Sequence, residues 1–193
     1  MSKAAKEAYL NKLKDRVENT LNVVGAQVVT WAVKECPFKS GNLSHSINYA
    51  TSKNQSGVNG QTTGTALKKP NDKMTLKVGT NVVYAAIQEF GGTIVPENAG
   101  ALAVPIHPDA KAALIPQGGS IRNVFPDLVM IKRKSGAPLL VRVKGNQFDI
   151  MYVLLKRVTI PAHPFLRPAV LNNKQNIVAI FAKAFKNTSA SVE

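Results

Sequence analysis

From Lys3 to about Lys34 apolar residues recur with the period of a single long helix. Leu10, Leu13, Val17, Val24 and Trp31 share one side with Leu21 and Val28, while Lys6, Lys12, Lys14, Asp15 and Glu18 fill the other. Gly25 is the weak point of its interior. Cys36-Pro37 ends it, because a residue before proline avoids helical angles. Such a helix would be about 48 Å long. A compact body of this chain length is only about 42 Å across. The helix therefore either bends near Gly25 onto its own core or overhangs the body, and an overhang with an apolar stripe invites a neighbouring subunit.

The rest of the chain alternates between short periodic segments and turns. Leu43, His45, Ile47 and Tyr49 alternate with polar residues, the period of a strand with one wet face. Residues 51–73 are polar and Gly-rich, a long mobile arm available to a partner. Met74, Leu76 and Val78 form a second alternating strand. Val82 to Phe90 reads as a short helix or strand, broken by Gly91-Gly92 before a strand at Thr93-Ile94-Val95. Residues 96–147 form an insertion, irregular to about Asp127. Leu128–Lys132 and Leu139–Lys144 then make a β-hairpin whose tip carries Lys132, Arg133 and Lys134. Phe148 to Ile160 is a long apolar strand, Phe165 to Lys186 a second helix, and 187–193 a polar tail. The order of elements predicts an α+β fold in one domain, 1–193: a single antiparallel sheet carrying both helices on its face.

Charge and composition limit the function. Apolar residues make up 45% of the 193 and charged residues 19%, a globular balance. Cys36 is the one cysteine, so no intrachain disulfide and no multi-cysteine zinc site can form. No apolar run reaches membrane-span length, and Met1 to Glu7 lacks the apolar centre of a secretion signal, so synthesis in a reducing cytosol and no membrane partner are expected. The net charge is +14, and between Lys111 and Lys186 thirteen bases face only Asp127 and Asp149. A field of that sign attracts nucleic acid, acidic protein faces or only water.

Catalytic patterns are missing. His45, His107 and His163 do not stand in a metal-ligand spacing, although His107 and Asp109 could share an ion with His163. Cys36 sits at a helix C-terminus, where the dipole disfavours a thiolate. There is no nucleophile elbow and no phosphate-binding loop, and the eleven acids are too spread for a carboxylate-based nuclease or glycosidase. No enzyme and no cofactor are expected. The basic hairpin is the best nucleic-acid candidate, but no aromatic residue interleaves with its charges.

Three segments in order carry a resemblance. They are Ser40-Gly41-Asn42-Leu43 with Ser46-Ile47; Val78-Gly79-Thr80 with Tyr84-Ala85 and Gln88-Glu89-Phe90-Gly91-Gly92; and Pro161-Ala162-His163-Pro164-Phe165-Leu166-Arg167-Pro168-Ala169. Between an N-terminal and a C-terminal helix, this layout resembles the tail-completion and head–tail joining proteins of tailed phages. The stretch Ala101-Leu102-Ala103-Val104-Pro105 after the Gly-Gly turn is similar to the virion-morphogenesis family of Mu-like phages. The resemblance implies a structural virion protein of the neck, made in the host bacterial cytoplasm. It implies a ring of copies, commonly sixfold, contacting the tail terminator or tube on one side and the head connector or stopper on the other, with DNA passing through. The alternative reading is a basic nucleic-acid-binding protein. Expected interface residues are Leu10, Leu13 and Val17 on the first helix, Glu89, Phe90, Gly91 and Gly92 at the turn, the Lys132, Arg133 and Lys134 tip, and Arg167, which could pair with Glu89.

Overall fold

The long apolar period forms one unbroken helix, α1 (Lys3–Glu35), in a computed structural model that describes residues 2–37, 41–54, 67–71, 74–113 and 120–186. Ser2 caps it, its Oγ accepting from the Ala5 N–H at 3.2 Å. The described chain falls into two compact units, Met1–Gly91 with Pro161–Glu193, and Gly92–Ile160.

In the first unit α1 meets a two-stranded antiparallel ribbon, β1 (Asn48–Thr51) and β2 (Leu76–Gly79), and two C-terminal helices, α6 (Leu166–Leu171) and α7 (Lys174–Lys186). Two short helices complete it, α2 (Asn42–Ser46) and α3 (Ala85–Phe90). The core is one cluster of Ala32, Cys36, Leu43, Ile47, Val82, Ala85, Phe165 and Ala169, with Val29, Trp31 and Leu166 packed against it. Gly25 is where the ribbon touches the helix. A Cβ there would lie 2.6 Å from Tyr49 Cδ2 and 2.8 Å from Leu76 Cδ1. The helix continues without a break through this glycine, whose missing side chain leaves the space that the Tyr49 ring takes.

The second unit contains a ribbon of β3 (Gly92–Ile94) and β8 (Val158–Ile160) and a four-stranded antiparallel sheet ordered β4-β7-β6-β5. Its strands are β4 (Leu102–Pro105), β5 (Leu128–Ile131), β6 (Leu139–Lys144) and β7 (Gln147–Leu155). Two short helices, α4 (Pro108–Ala112) and α5 (Ile121–Val124), contribute to a core of Ala110, Leu128, Met151 and Tyr152 with Ile121, Phe125 and Leu140. A register shift at Leu140/Val141 leaves Met151 as an extra residue, so Met151 and Tyr152 are both buried.

The α+β class and the long N-terminal helix are as expected, with differences in detail: the expected strand Phe148–Ile160 is two strands, β7 and β8, in different sheets, and β4, α4 and α5 lie in the stretch read as irregular. The antiparallel strands form three sheets instead of one. Residues 42–46 are helical: Leu43 and Ile47 are four apart, which fits a helix as well as alternation, and the Ser44 and Ser46 hydroxyls donate to the carbonyls of Gly41 and Leu43. The second strand starts at Leu76, after Met74 takes a positive φ of 61°. The final helix breaks at Asn172-Asn173, where the Asn173 side chain donates back to the Ala169 carbonyl. The central part of the 51–73 arm and the 187–193 tail lie outside the described residues.

Candidate assembly surfaces

The residues expected at interfaces sort into three places. The first is the N-terminal end of α1. Lys3 to Lys12 are all exposed, and Tyr9 and Leu10 are 48% and 51% accessible. Leu13 and Val17 are half-buried, whereas Val24, Val28 and Ala32 lie under the ribbon and the C-terminal helices. The helix thus outruns its own cover by about three turns, and the apolar stripe by Leu10 with Tyr9 beside it. Between α1 and α7 runs a groove of about 550 Å³ lined by Arg16, Thr20, Val23, Ile180 and Lys183, and the Arg16 guanidinium stands 5.7 Å from the Phe185 ring centre.

Glu18 belongs to neither solvent nor stripe. The helical wheel puts it on the charged face, yet it is buried at 2% exposure. Its Oε1 accepts from Ser52 Oγ at 2.6 Å and from the Met74 N–H at 2.7 Å. Beside it Lys53 pairs with Asp15, and Asn22 Oδ1 accepts from Thr51 Oγ1. One carboxylate on α1 therefore pins both roots of the segment that leaves β1 and returns before β2. Glu18→Ala should lower stability by about 2 kcal/mol, since it strands a half-buried N–H and a hydroxyl; urea unfolding of the two proteins checks this.

The second place is the junction of α3 with α6. Leu166 opens α6 without a Ser, Thr, Asp or Asn side chain at its cap. The cap comes from Glu89, buried at 7% exposure. Its Oε2 accepts from the N–H groups of Phe165 (2.7 Å) and Leu166 (2.9 Å), and its Oε1 from Arg167 N–H (3.0 Å). Burial pushes the Glu89 carboxyl up, but the three N–H donors and the Arg167 charge outweigh it and hold the group below its ordinary value. Arg167 thus serves Glu89 through its backbone, while its guanidinium lies 5.6 Å from the centre of the Phe90 ring. Phe90 is 66% exposed. Gly91 ends α3 with φ 68°, its N–H donating to the Ile87 carbonyl, and Gly92 follows at φ 153°. A shallow pocket of about 410 Å³ opens here, lined by Thr80, Ala86, Phe90, Leu166 and Arg167.

The third place is the β5–β6 connection. Lys132, Arg133 and Lys134 are exposed, and the Arg133 Nε donates to the Ala137 carbonyl at 2.9 Å, stiffening the turn. The fold brings Glu89, Phe90, Gly91 and Arg167 together. Leu10, Leu13 and Val17 stand apart from them on α1, and the basic tip belongs to the other unit.

No other cluster suggests chemistry. His107 caps α4, its Nδ1 accepting from the Asp109 N–H, and Asp109 with Asp149 holds Arg142 at 2.8 and 3.0 Å. Among the described residues no three His, Cys, Asp or Glu side chains could hold a metal ion. Burial pushes the Cys36 thiol up to about 11, so it is protonated at neutral pH. No helix among the described residues is long and apolar enough to cross a membrane.

The first unit, with its stripe, its ribbon on Gly25 and its α3 ending at Gly91, is where comparison with known families finds a match. Residues 2–91 match the model of a family described as "Bacteriophage HK97-gp10, putative tail-component". Over this segment, a little under half of the chain, the protein is similar to the HK97-gp10-like family. The HK97-gp10-like match ends at Gly91, where the first unit gives way to the second. It does not reach Ala101–Pro105, on which the Mu-like resemblance rests. No curated protein and no solved structure matches the chain. A phage tail family implies a place in the virion and contacts with other virion proteins.

Proposed function

We propose that the chain is a structural subunit of the phage neck, a tail-completion or head–tail joining protein that works by fitting together and makes or breaks no bond. Copies close into a ring, sixfold by the resemblance, between the tail terminator or tube and the head connector or stopper, with DNA passing through the channel. The observation that carries this reading is the exposed start of α1 within an HK97-gp10-like segment: Tyr9 and Leu10 continue an apolar stripe beyond the cover their own unit supplies. A ring needs two unlike faces that meet head to tail. The α1 stripe with Leu10, Leu13 and Val17 supplies one, and the exposed Phe90–Arg167 stack beside Gly91-Gly92 supplies a candidate for the other.

The test is Leu10→Asp. It should weaken self-association at least tenfold, roughly the effect of losing one anchor side chain, while the monomer's unfolding free energy changes by less than about 0.5 kcal/mol. Analytical ultracentrifugation and denaturant melts read the two quantities. Purified chain that stays monomeric at all concentrations, together with its absence from virions by immunogold labelling, would overturn the reading. The +14 charge favours the second reading, a nucleic-acid-binding protein. That reading requires duplex binding by the free monomer that falls steeply with salt.

A further inference from the structure

One face of the second unit's sheet packs that unit's own core and carries the Arg142–Asp149 and Lys144–Gln147 pairs; the strand residues of the opposite face are apolar. Cross-strand partners share a face. Leu128, Leu140 and Tyr152 belong to the face packed by Ala110, Ile121 and Phe125. The opposite face follows from the same register: Val129 pairs with Val141 and Val141 with Ile150, Val143 pairs with Phe148, and Ile131 pairs with Leu139. Val141 at its centre is buried, but Val129 is 50%, Val143 49%, Phe148 66% and Ile150 42% exposed. Along Val141–Lys144 and Gln147–Ile150 apolar and polar residues alternate, the pattern of an antiparallel sheet with one wet and one buried face, and here the apolar side is the one left exposed. From strand spacing and rise the face covers roughly 400 Å², the size of the largest apolar patch on a typical soluble monomer, which is often a functional one.

Charge identifies what covers it. Because β5 ends where β6 begins, and Leu139 pairs with Val153, the β5–β6 turn and the end of β7 lie at the same end of the sheet. Lys132, Arg133 and Lys134 stand there with Lys156 and Arg157, all exposed. The acids near them in sequence do not offset this. Asp127 is at the opposite end of β5, Asp109 and Asp149 are bound to Arg142, and Glu97, which precedes β4 at the basic end, is one acid against five bases. A second copy would bring the same bases to the contact. Nucleic acid would satisfy the bases and leave Val143, Phe148 and Ile150 wet.

We infer that this face docks a different protein, one presenting an apolar patch flanked at one end by Asp or Glu side chains. The apolar face supplies about half of the 800 Å² that each partner gives to a standard interface, and the basic end extends it. The surface lies wholly outside the HK97-gp10-like segment, so the inference stands independently of the ring.

The experiment places the photo-crosslinker benzoylphenylalanine at Phe148 of the full chain, in cells producing the phage's structural proteins. The expected result is an adduct with one other polypeptide, mapped to a peptide holding Asp or Glu beside an apolar residue. Its yield should fall about fivefold in Lys132→Glu/Lys134→Glu, as for loss of complementary rim charge, while the melting curve is unchanged. Adducts only with the chain itself or with nucleic acid, an adduct indifferent to the charge reversal, or no adduct would each overturn the proposal. If the acidic-partner adduct forms while the chain is missing from finished particles, docking stands and only the neck reading falls.

Discussion

Glu89→Ala should lower the stability of the first unit by about 3 kcal/mol, because it strands three N–H groups at the start of α6, each worth about 1 kcal/mol or more when buried without a partner. The loss should spread, since Phe165 is fully buried and belongs to the same core cluster as Ala32 of α1. Glu89→Gln keeps one acceptor oxygen but turns an amide N–H₂ toward the donors, so about half the loss is expected. The pH dependence has a definite sign. The folded-state pKa lies below the unfolded value of about 4.3. The carboxylate's contribution is therefore complete above that value and is lost as pH falls through the lower, folded one. Urea midpoints of wild type and Glu89→Gln should run parallel from neutral pH down to the carboxylate range and converge below it. Parallel lines throughout would show that the charge at Glu89 is immaterial.

The second large effect is expected at Gly25. Alanine at a helix interior gains about 1 kcal/mol over glycine. Here its Cβ would sit 2.6–2.8 Å from Tyr49 and Leu76, and the nearby Tyr49 atoms include the ring root Cγ, which cannot swing aside without moving β1. Overpacking of this kind costs about 1–3 kcal/mol, so Gly25→Ala should be net destabilising by about 1 kcal/mol. Gly25→Val adds two methyl groups to the same clash and should lose about 3 kcal/mol. Trimming the obstacle provides the control: in a Tyr49→Ala background the valine penalty should shrink by at least about 1 kcal/mol, a coupling that a double-mutant cycle measures. Additive effects would mean that the ribbon does not rest on the glycine.

These two positions also show what a linear reading can and cannot reach. The period of α1 is visible in the sequence because Val24, Val28 and Trp31 must repeat to meet a surface, whatever that surface is. Gly25 is visible only as a flaw, since the ring that fills its place comes from Tyr49. Glu18 looks like a solvated charge because a helical wheel does not know that Ser52 and Met74 arrive with a hydroxyl and an N–H. The link between Glu89 and Arg167 is foreseeable as a need of a lone acid for donors, but guanidinium is the wrong donor; the backbone serves. One signal was present: α6 opens at Phe165-Leu166-Arg167 with no capping side chain, so an acceptor had to come from elsewhere. The β5–β6 hairpin is legible from its turn residues, whereas the apolar outer face needs the register, because a slip of one residue would exchange the two faces.

Gly92 and Ile160 are ladder partners, so the second unit begins and ends at one spot. A segment whose two ends touch is a cassette: it can be gained, lost or exchanged in a single genetic event, and the host fold then has only a tight turn between Gly91 and Pro161 to rebuild. The HK97-gp10-like segment stops at that seam. A module joined in this way is exchangeable as a whole without any change to the packing of the first unit's own core.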